Sequence, residues 1–159
     1  MRILGIDPGT GILGFGVIDL GQSGKVQLVD AGVIRTPVKE DDAVRLLTIY
    51  EELTDIIAQN KPTVMSVEKL FFARNVTTAM TVAQARGVVL LCGQQTGLAL
   101  YEYTPMQIKQ AITGYGKADK KQVQEMVRVL LRLKEVPKPD DAADALAAAL
   151  TYASTARFS

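Results

Sequence analysis

The chain has 159 residues, 48% of them apolar, and a net charge of +1, which is length and apolar content for one domain with a proper core and excludes a disordered tail. It contains no histidine, which excludes Ser-His-Asp hydrolysis, Cys-His nucleophiles and His-rich zinc sites and leaves any metal to oxygen ligands, hence magnesium or manganese. The single cysteine, Cys92, forms no internal disulfide and is expected buried as a small hydrophobe.

The apolar residues 3–6 run straight into Asp7 and then Pro8-Gly9. That is the pattern of a buried central strand that delivers one carboxylate to a sheet edge before the chain reverses. Asp-Pro-Gly is also ordinary turn chemistry, so Asp7 alone carries no function. Residues 13–19 read as a returning strand and 25–34 as a third, closing an antiparallel meander. Asp41 or Asp42 caps a helix with Ala43, Leu46, Leu47, Tyr50, Leu53 and Ile57 at three- and four-residue steps, ending near Asn60 before Pro62. Residues 63–68 form the next strand, again stopping at a carboxylate. Strand, helix, strand in this order implies a right-handed crossover, so Asp7 and Glu68 are expected at the same end of neighbouring parallel strands.

Lys69-Leu70-Phe71-Phe72-Ala73-Arg74 places two aromatics and two cations beside that edge. Adjacent residues of an extended segment point opposite ways, so one phenylalanine leaves the core and suits stacking on a nucleic-acid base. Residues 77–95 are small and apolar nearly all round, which predicts a helix buried on more than one side, with a second copy of the chain supplying part of that burial. A fifth strand follows at 98–103. Thr104-Pro105 opens a short helix that Gly114 closes. Asp119 and Gln122 have capping-box spacing for a helix that buries Val123, Met126, Val127 and Leu130. On it Lys121, Arg128 and Arg132 fall within about 20° of one line, a cationic stripe, with Glu125 close enough to pair with them. Residues 105–134 carry a net +5, leaving −4 for the remainder, a local footprint for a polyanion.

After Pro137-Lys138-Pro139 the last helix opens with Asp140, Asp141 and Asp144. Asp141 and Asp144 share one face, about 60° apart, and three acids exceed what capping needs. The alanines that follow let this helix approach the sheet closely. Asp7, Glu68, Asp141 and Asp144 are thus expected to cluster and repel, and divalent cations resolve that repulsion. Two magnesium ions, with manganese as a substitute, would activate a water and stabilise the leaving oxygen of an in-line phosphodiester cleavage.

With these residues in view, the chain resembles the RuvC family of Holliday-junction resolvases. Ile6-Asp7-Pro8-Gly9-Thr10, Val67-Glu68 followed by Phe71, Gln84-Ala85-Arg86-Gly87, and Asp141-Ala142-Ala143-Asp144-Ala145-Leu146-Ala147 follow its motifs in order over nearly the whole chain. The resemblance implies an α/β ribonuclease H-like fold, a five-stranded mixed sheet flanked by helices, in a single nuclease domain over 1–159. It implies a homodimer and magnesium-dependent paired nicking of opposite strands at a four-way DNA junction, in recombination and repair. By the same resemblance Asp7, Glu68, Asp141 and Asp144 ligate the metals, Lys109 and Lys120 are basic residues needed for cleavage, and Phe71 stacks on a base. A branch-migration motor of RuvA and RuvB is the implied partner. Lys69, Arg74, Lys117 and Lys121 join the expected DNA contacts by their charge and position. Two rivals stand beside this reading: an actin-like or sugar-kinase ATP-binding domain, which shares the strand-Asp-Gly-Thr opening, and a catalytically inactive junction-binding module. No apolar run invites a membrane and the opening lacks a signal-peptide pattern, so a cytoplasmic protein without membrane association is expected.

Overall fold

In the computed structural model, which describes residues 1–69 and 76–156, the chain runs β1 (Arg2–Asp7), β2 (Ile12–Leu20), β3 (Val26–Arg35), α1 (Asp42–Asn60), β4 (Val64–Glu68), α2 (Val76–Gln95), β5 (Ala99–Tyr103), α3 (Pro105–Thr113), α4 (Lys120–Leu130) and α5 (Asp140–Ala156). The sheet order is β3-β2-β1-β4-β5. The first three strands form the expected antiparallel meander, and β4 and β5 join it in parallel. The crossover through α1 pairs Ile6 with Val67, so Asp7 and Glu68 leave their strands side by side.

Side chains alternate across a strand, and this decides what each face of the sheet meets. Leu4, Ile6, Leu13, Val17, Met65 and Val67 pack with Ile49, Leu53 and Val89 in the core beneath α1 and α2. Ile3, Ile18 and Val64 pack in the opposite core with Leu146, Ile108 and Val123, from α5, α3 and α4. By the same period Gly5 and Asp7, Gly14 and Gly16, and Ser66 and Glu68 lie on the α5 side.

Helix α5 sits almost on the backbone of that face. Cβ atoms added to Gly5 and Gly14 would overlap the carbonyl oxygens of Ala145 and Asp141, and one added to Gly16 would come within 2.6 Å of the Leu146 side chain. Opposite them the helix presents Ala142, Ala145, Ala148 and Ala149, all buried. Small residues on both sides bring α5 close enough for Ser66 Oγ to donate a 2.6 Å hydrogen bond to the carbonyl of Ala148.

The structure shows how much of α2 a single chain buries, and it corrects the sequence reading at α4 and at the start of α1. Helix α2 is buried along one face only, at Ala85, Val89, Cys92 and Gly93; Met80 and Leu91 are 61% and 57% exposed. Its length and composition would also suit a membrane crossing, but here it packs on α1 and β5 and its Arg86 forms a two-pronged 2.6 Å ion pair with Glu102. Helix α4 ends at Leu130, so Leu131 turns into the core in its place while Leu130 stays at the surface. That ending also breaks the cationic stripe, because Arg132 lies beyond the helix with φ 55° and Arg128 is held by Glu125 at 2.5 Å. Asp41 occupies the cap position of α1 without a side-chain capping hydrogen bond.

Candidate active site

Three local decisions place the acidic residues. Asp7 is the last residue of β1 and lies opposite Gly14 of β2. Glu68 is the last residue of β4 and lies opposite Tyr103 of β5. The backbone of Asp141 rests on Gly14, where a side chain would collide with its carbonyl. This contact sets the first turn of α5 beside Asp7, and Asp144 follows on the same helix face.

The basic residues arrive by capping. Thr104 and Gln107 close a reciprocal capping box at the start of α3, and Asp119 and Gln122 do so at the start of α4. Each box fixes where its helix begins, and hence where Lys109 and Lys120 stand. Both line a cleft of about 240 Å³ with Glu68, Asp144, Pro105 and Val123. Lys120 Nζ lies 3.5 Å from Asp140 Oδ2 and 3.6 Å from Asp144 Oδ2.

The electrostatics mark this as the strained part of the molecule. Burial pushes the Asp7 carboxyl up to about 9, reinforced by the negative charges of Glu68 and Asp144 and by a hydrogen bond with Glu68. Glu68 and Asp144 are also raised, first by burial. The nearby cations Lys109 and Lys120 oppose the rise at Glu68, and Lys120 opposes it at Asp144. Buried carboxyls that shift upward together hold protons where a cation is wanted. With no cation bound, burial and the neighbouring carboxylates favour the protonated form of Asp7, which is hydrogen-bonded to Glu68. Among the described residues no three acidic side chains form a closed metal cage. The donors are nevertheless all carboxylate oxygens, the set that hard divalent cations take.

The structure thus brings Asp7, Glu68 and Asp144 into mutual electrostatic reach and sets Lys109 and Lys120 beside them. Asp141 contributes to the charge on Asp7 and Asp144 but does not line the cleft. Lys121 lines a separate groove with Tyr115, Asp119 and Glu125, and Lys117 lies exposed in the loop before α4. Lys69 continues the pairing of β4 by donating its backbone N–H to the Tyr103 carbonyl. Phe71 and Arg74 lie outside the described residues. Sequence reasoning missed Gly5, Gly14, Gly16, Ser66 and Asp140. The glycines had a signal, since a glycine within a strand marks a close backbone approach; Asp140 was counted among the three acids opening the last helix but given no role of its own.

The family model for crossover junction endodeoxyribonuclease RuvC matches residues 3–152. The chain is 55% identical to crossover junction endodeoxyribonuclease RuvC of Brevibacillus brevis, over 99% of this chain and 95% of that one. It is 56% identical to the RuvC of Heliobacterium modesticaldum, over 96% and 94%. Among solved structures, RuvC of T. thermophilus in complex with a Holliday junction substrate superposes with a TM-score of 0.94 at 40% identity, covering 99% of this chain and 96% of that one. The yeast mitochondrial Holliday junction resolvase shares the fold, with a TM-score of 0.70 at 15% identity, over 96% of this chain and 77% of that one. The paired carboxylates at two parallel strand ends, the alanine helix laid on glycines and these full-length matches agree: the chain belongs to the RuvC family of crossover junction endodeoxyribonucleases.

Proposed function

We propose that this chain, as one nuclease domain over 1–159, resolves four-way DNA junctions by paired nicks in opposite strands. The reading is carried by a single cleft in which the carboxylates of Glu68 and Asp144, both raised by burial, face Lys109 and Lys120, on a chain that the RuvC family model matches over residues 3–152. Neither an ATP-binding nor an inactive binding role accounts for carboxyls whose clustering opposes both a nucleotide and a DNA phosphate. Asp7, Glu68, Asp141 and Asp144 would hold the divalent cations the family uses, two magnesium ions per site with manganese able to substitute. Bound there, the ions supply an activated water and charge stabilisation at the leaving oxygen. Lys120, reaching from the start of α4, and Lys109, from α3, orient the scissile phosphate. Phe71, with Lys69, Arg74, Lys117 and Lys121, contributes the wider contact with DNA. The test is a mobile four-way junction and a linear duplex of the same sequence, each incubated with and without magnesium; symmetric nicks in the junction alone, only with magnesium, are expected, and equal cutting of the duplex refutes junction resolution.

Cation binding should also stabilise the fold. The raised carboxyls are relieved when a cation replaces their protons, and a ligand at a hundredfold excess over its Kd adds about 2.7 kcal/mol. A melting temperature that rises on going from chelator to millimolar magnesium is the expected result. No shift in wild type would count against a cation at this cluster.

Homodimerisation is supported by α2, whose Val76, Met80 and Leu91 leave a broad apolar face in solvent. A two-fold pair of active sites suits a substrate with two equivalent strands. Sedimentation at micromolar concentration should give twice the 17.2 kDa of the chain; a monomer with and without junction DNA would exclude it. Delivery of junctions by a RuvA and RuvB motor completes the proposal.

A further inference from the structure

Among the described residues Arg45 has no counter-ion, and it is tied to the turn between β1 and β2, whereas Lys109 and Lys120 share a cleft with Glu68 of β4, on the other side of β1 in the sheet order. Arg45 belongs to the first turns of α1 and is half-buried. Its Nε donates a 3.2 Å hydrogen bond to Oγ1 of Thr36, a buried residue whose hydroxyl donates in turn to the carbonyl of Thr10. The Thr36 backbone N–H donates to the carbonyl of Gly11 at 3.0 Å. The guanidinium is therefore stitched to the Pro8–Gly11 turn that follows Asp7, and a Cβ on Gly11 would sit 3.6 Å from Arg45 Nη2. Arg2, Arg86 and Arg128 each spend their side chains on a carboxylate. Arg45, among the described residues, spends only Nε, and on a hydroxyl. A planar fork held by one nitrogen, with its two terminal nitrogens unspent, is built for an anionic oxygen.

We infer that Arg45 is a DNA-phosphate contact, gripping the backbone on the opposite side of Asp7 from Lys109 and Lys120. The inference rests on the junction-cleaving reading above. With phosphate held on both flanks, the strand would lie across the end of β1 instead of pivoting about the lysines. Asp41 and Asp42 stand exposed at the start of α1 and cancel any diffuse positive field there. The contact is therefore a directional one, to one phosphate.

The experiment is anisotropy titration of a fluorescent four-way junction across a salt series with wild type, Arg45→Ala and Arg45→Lys, each melted in parallel. Arg45→Ala should raise the Kd about five- to twentyfold and lower the salt slope by about one, as loss of one phosphate contact does. Arg45→Lys keeps the charge without the fork and should fall between the two; it also serves if Arg45→Ala fails to fold. A melting temperature that drops while Kd and salt slope stay at wild-type values overturns the inference and leaves Arg45 as a brace for the turn. Wild type that binds no junction at all overturns instead the functional reading beneath it.

Discussion

Replacing Asp7 with asparagine should lower junction cleavage about 1,000-fold or more, some 4 kcal/mol at 1.36 kcal/mol per tenfold, while junction binding survives. Asparagine keeps the size and the turn-forming ability of the residue, and its amide can still donate to Glu68. What it loses is one anionic ligand for the cations, and with it the placement of the attacking water. Binding should persist, because asparagine matches the size and neutrality of the protonated Asp7 while Lys109 and Lys120 remain. The same change should stabilise the metal-free protein. In the folded chain Asp7 is raised from 3.8 to about 9, so between these values the folded state binds a proton that the unfolded chain releases. Stability therefore falls as pH rises through that window: the penalty is absent below the unfolded value and complete above the folded one. At pH 8 the variant should melt above the wild type in chelator, by an amount on the order of a few kcal/mol, and the gap should close toward pH 4. Magnesium should close it as well. Cleavage at the wild-type rate would remove Asp7 from the chemistry, and equal stability at pH 8 and pH 4 would remove the buried-charge account of the cluster.

Gly14→Ala should cost about 3 kcal/mol or more, at the upper end of what overpacking costs, and cut activity further than the lost stability explains. An added methyl would overlap the Asp141 carbonyl and stand 3.2 Å from the Asp141 Cβ. Backbone on backbone has no rotamer to yield, so the first turn of α5 must lift from β2. Asp141 and Asp144 ride on that turn, while Asp7 and Glu68 stay on the sheet. The variant should therefore need more magnesium for half-maximal cleavage even at temperatures where it is fully folded. Gly21→Ala is the matched control: its methyl would meet its nearest neighbour at 3.5 Å, and no loss is expected. Denaturant unfolding combined with a magnesium titration of cleavage separates the two effects. Wild-type magnesium dependence in a folded Gly14→Ala protein would show that helix placement does not govern the site.

Much of this molecule is legible in the sequence because the signals are local. Apolar runs that stop at Asp7 and Glu68 name two strand exits, and the crossover rule makes them neighbours. Capping signals located the starts of α3 and α4, while Lys109 and Lys120 on those helices were singled out by the family resemblance. Acids three apart on one helix face identified Asp141 and Asp144 as a pair. Burial and approach distance are not local, and there the tertiary structure decided. Periodicity could not show that Leu131 and not Leu130 enters the core, because that depends on where α4 stops against its neighbours. Nor could it show that Lys120 faces Asp140 and Asp144 while Lys121 turns to another groove, since consecutive helix residues diverge by about 100° and only packing sets which one faces the cleft. The glycines of β1 and β2 and the alanines of α5 are separated by more than a hundred residues, and each is unremarkable until the other lies against it. That contact seats Asp141 and Asp144 beside the other two carboxylates, and burial there raises the proton affinity of Asp7, Glu68 and Asp144.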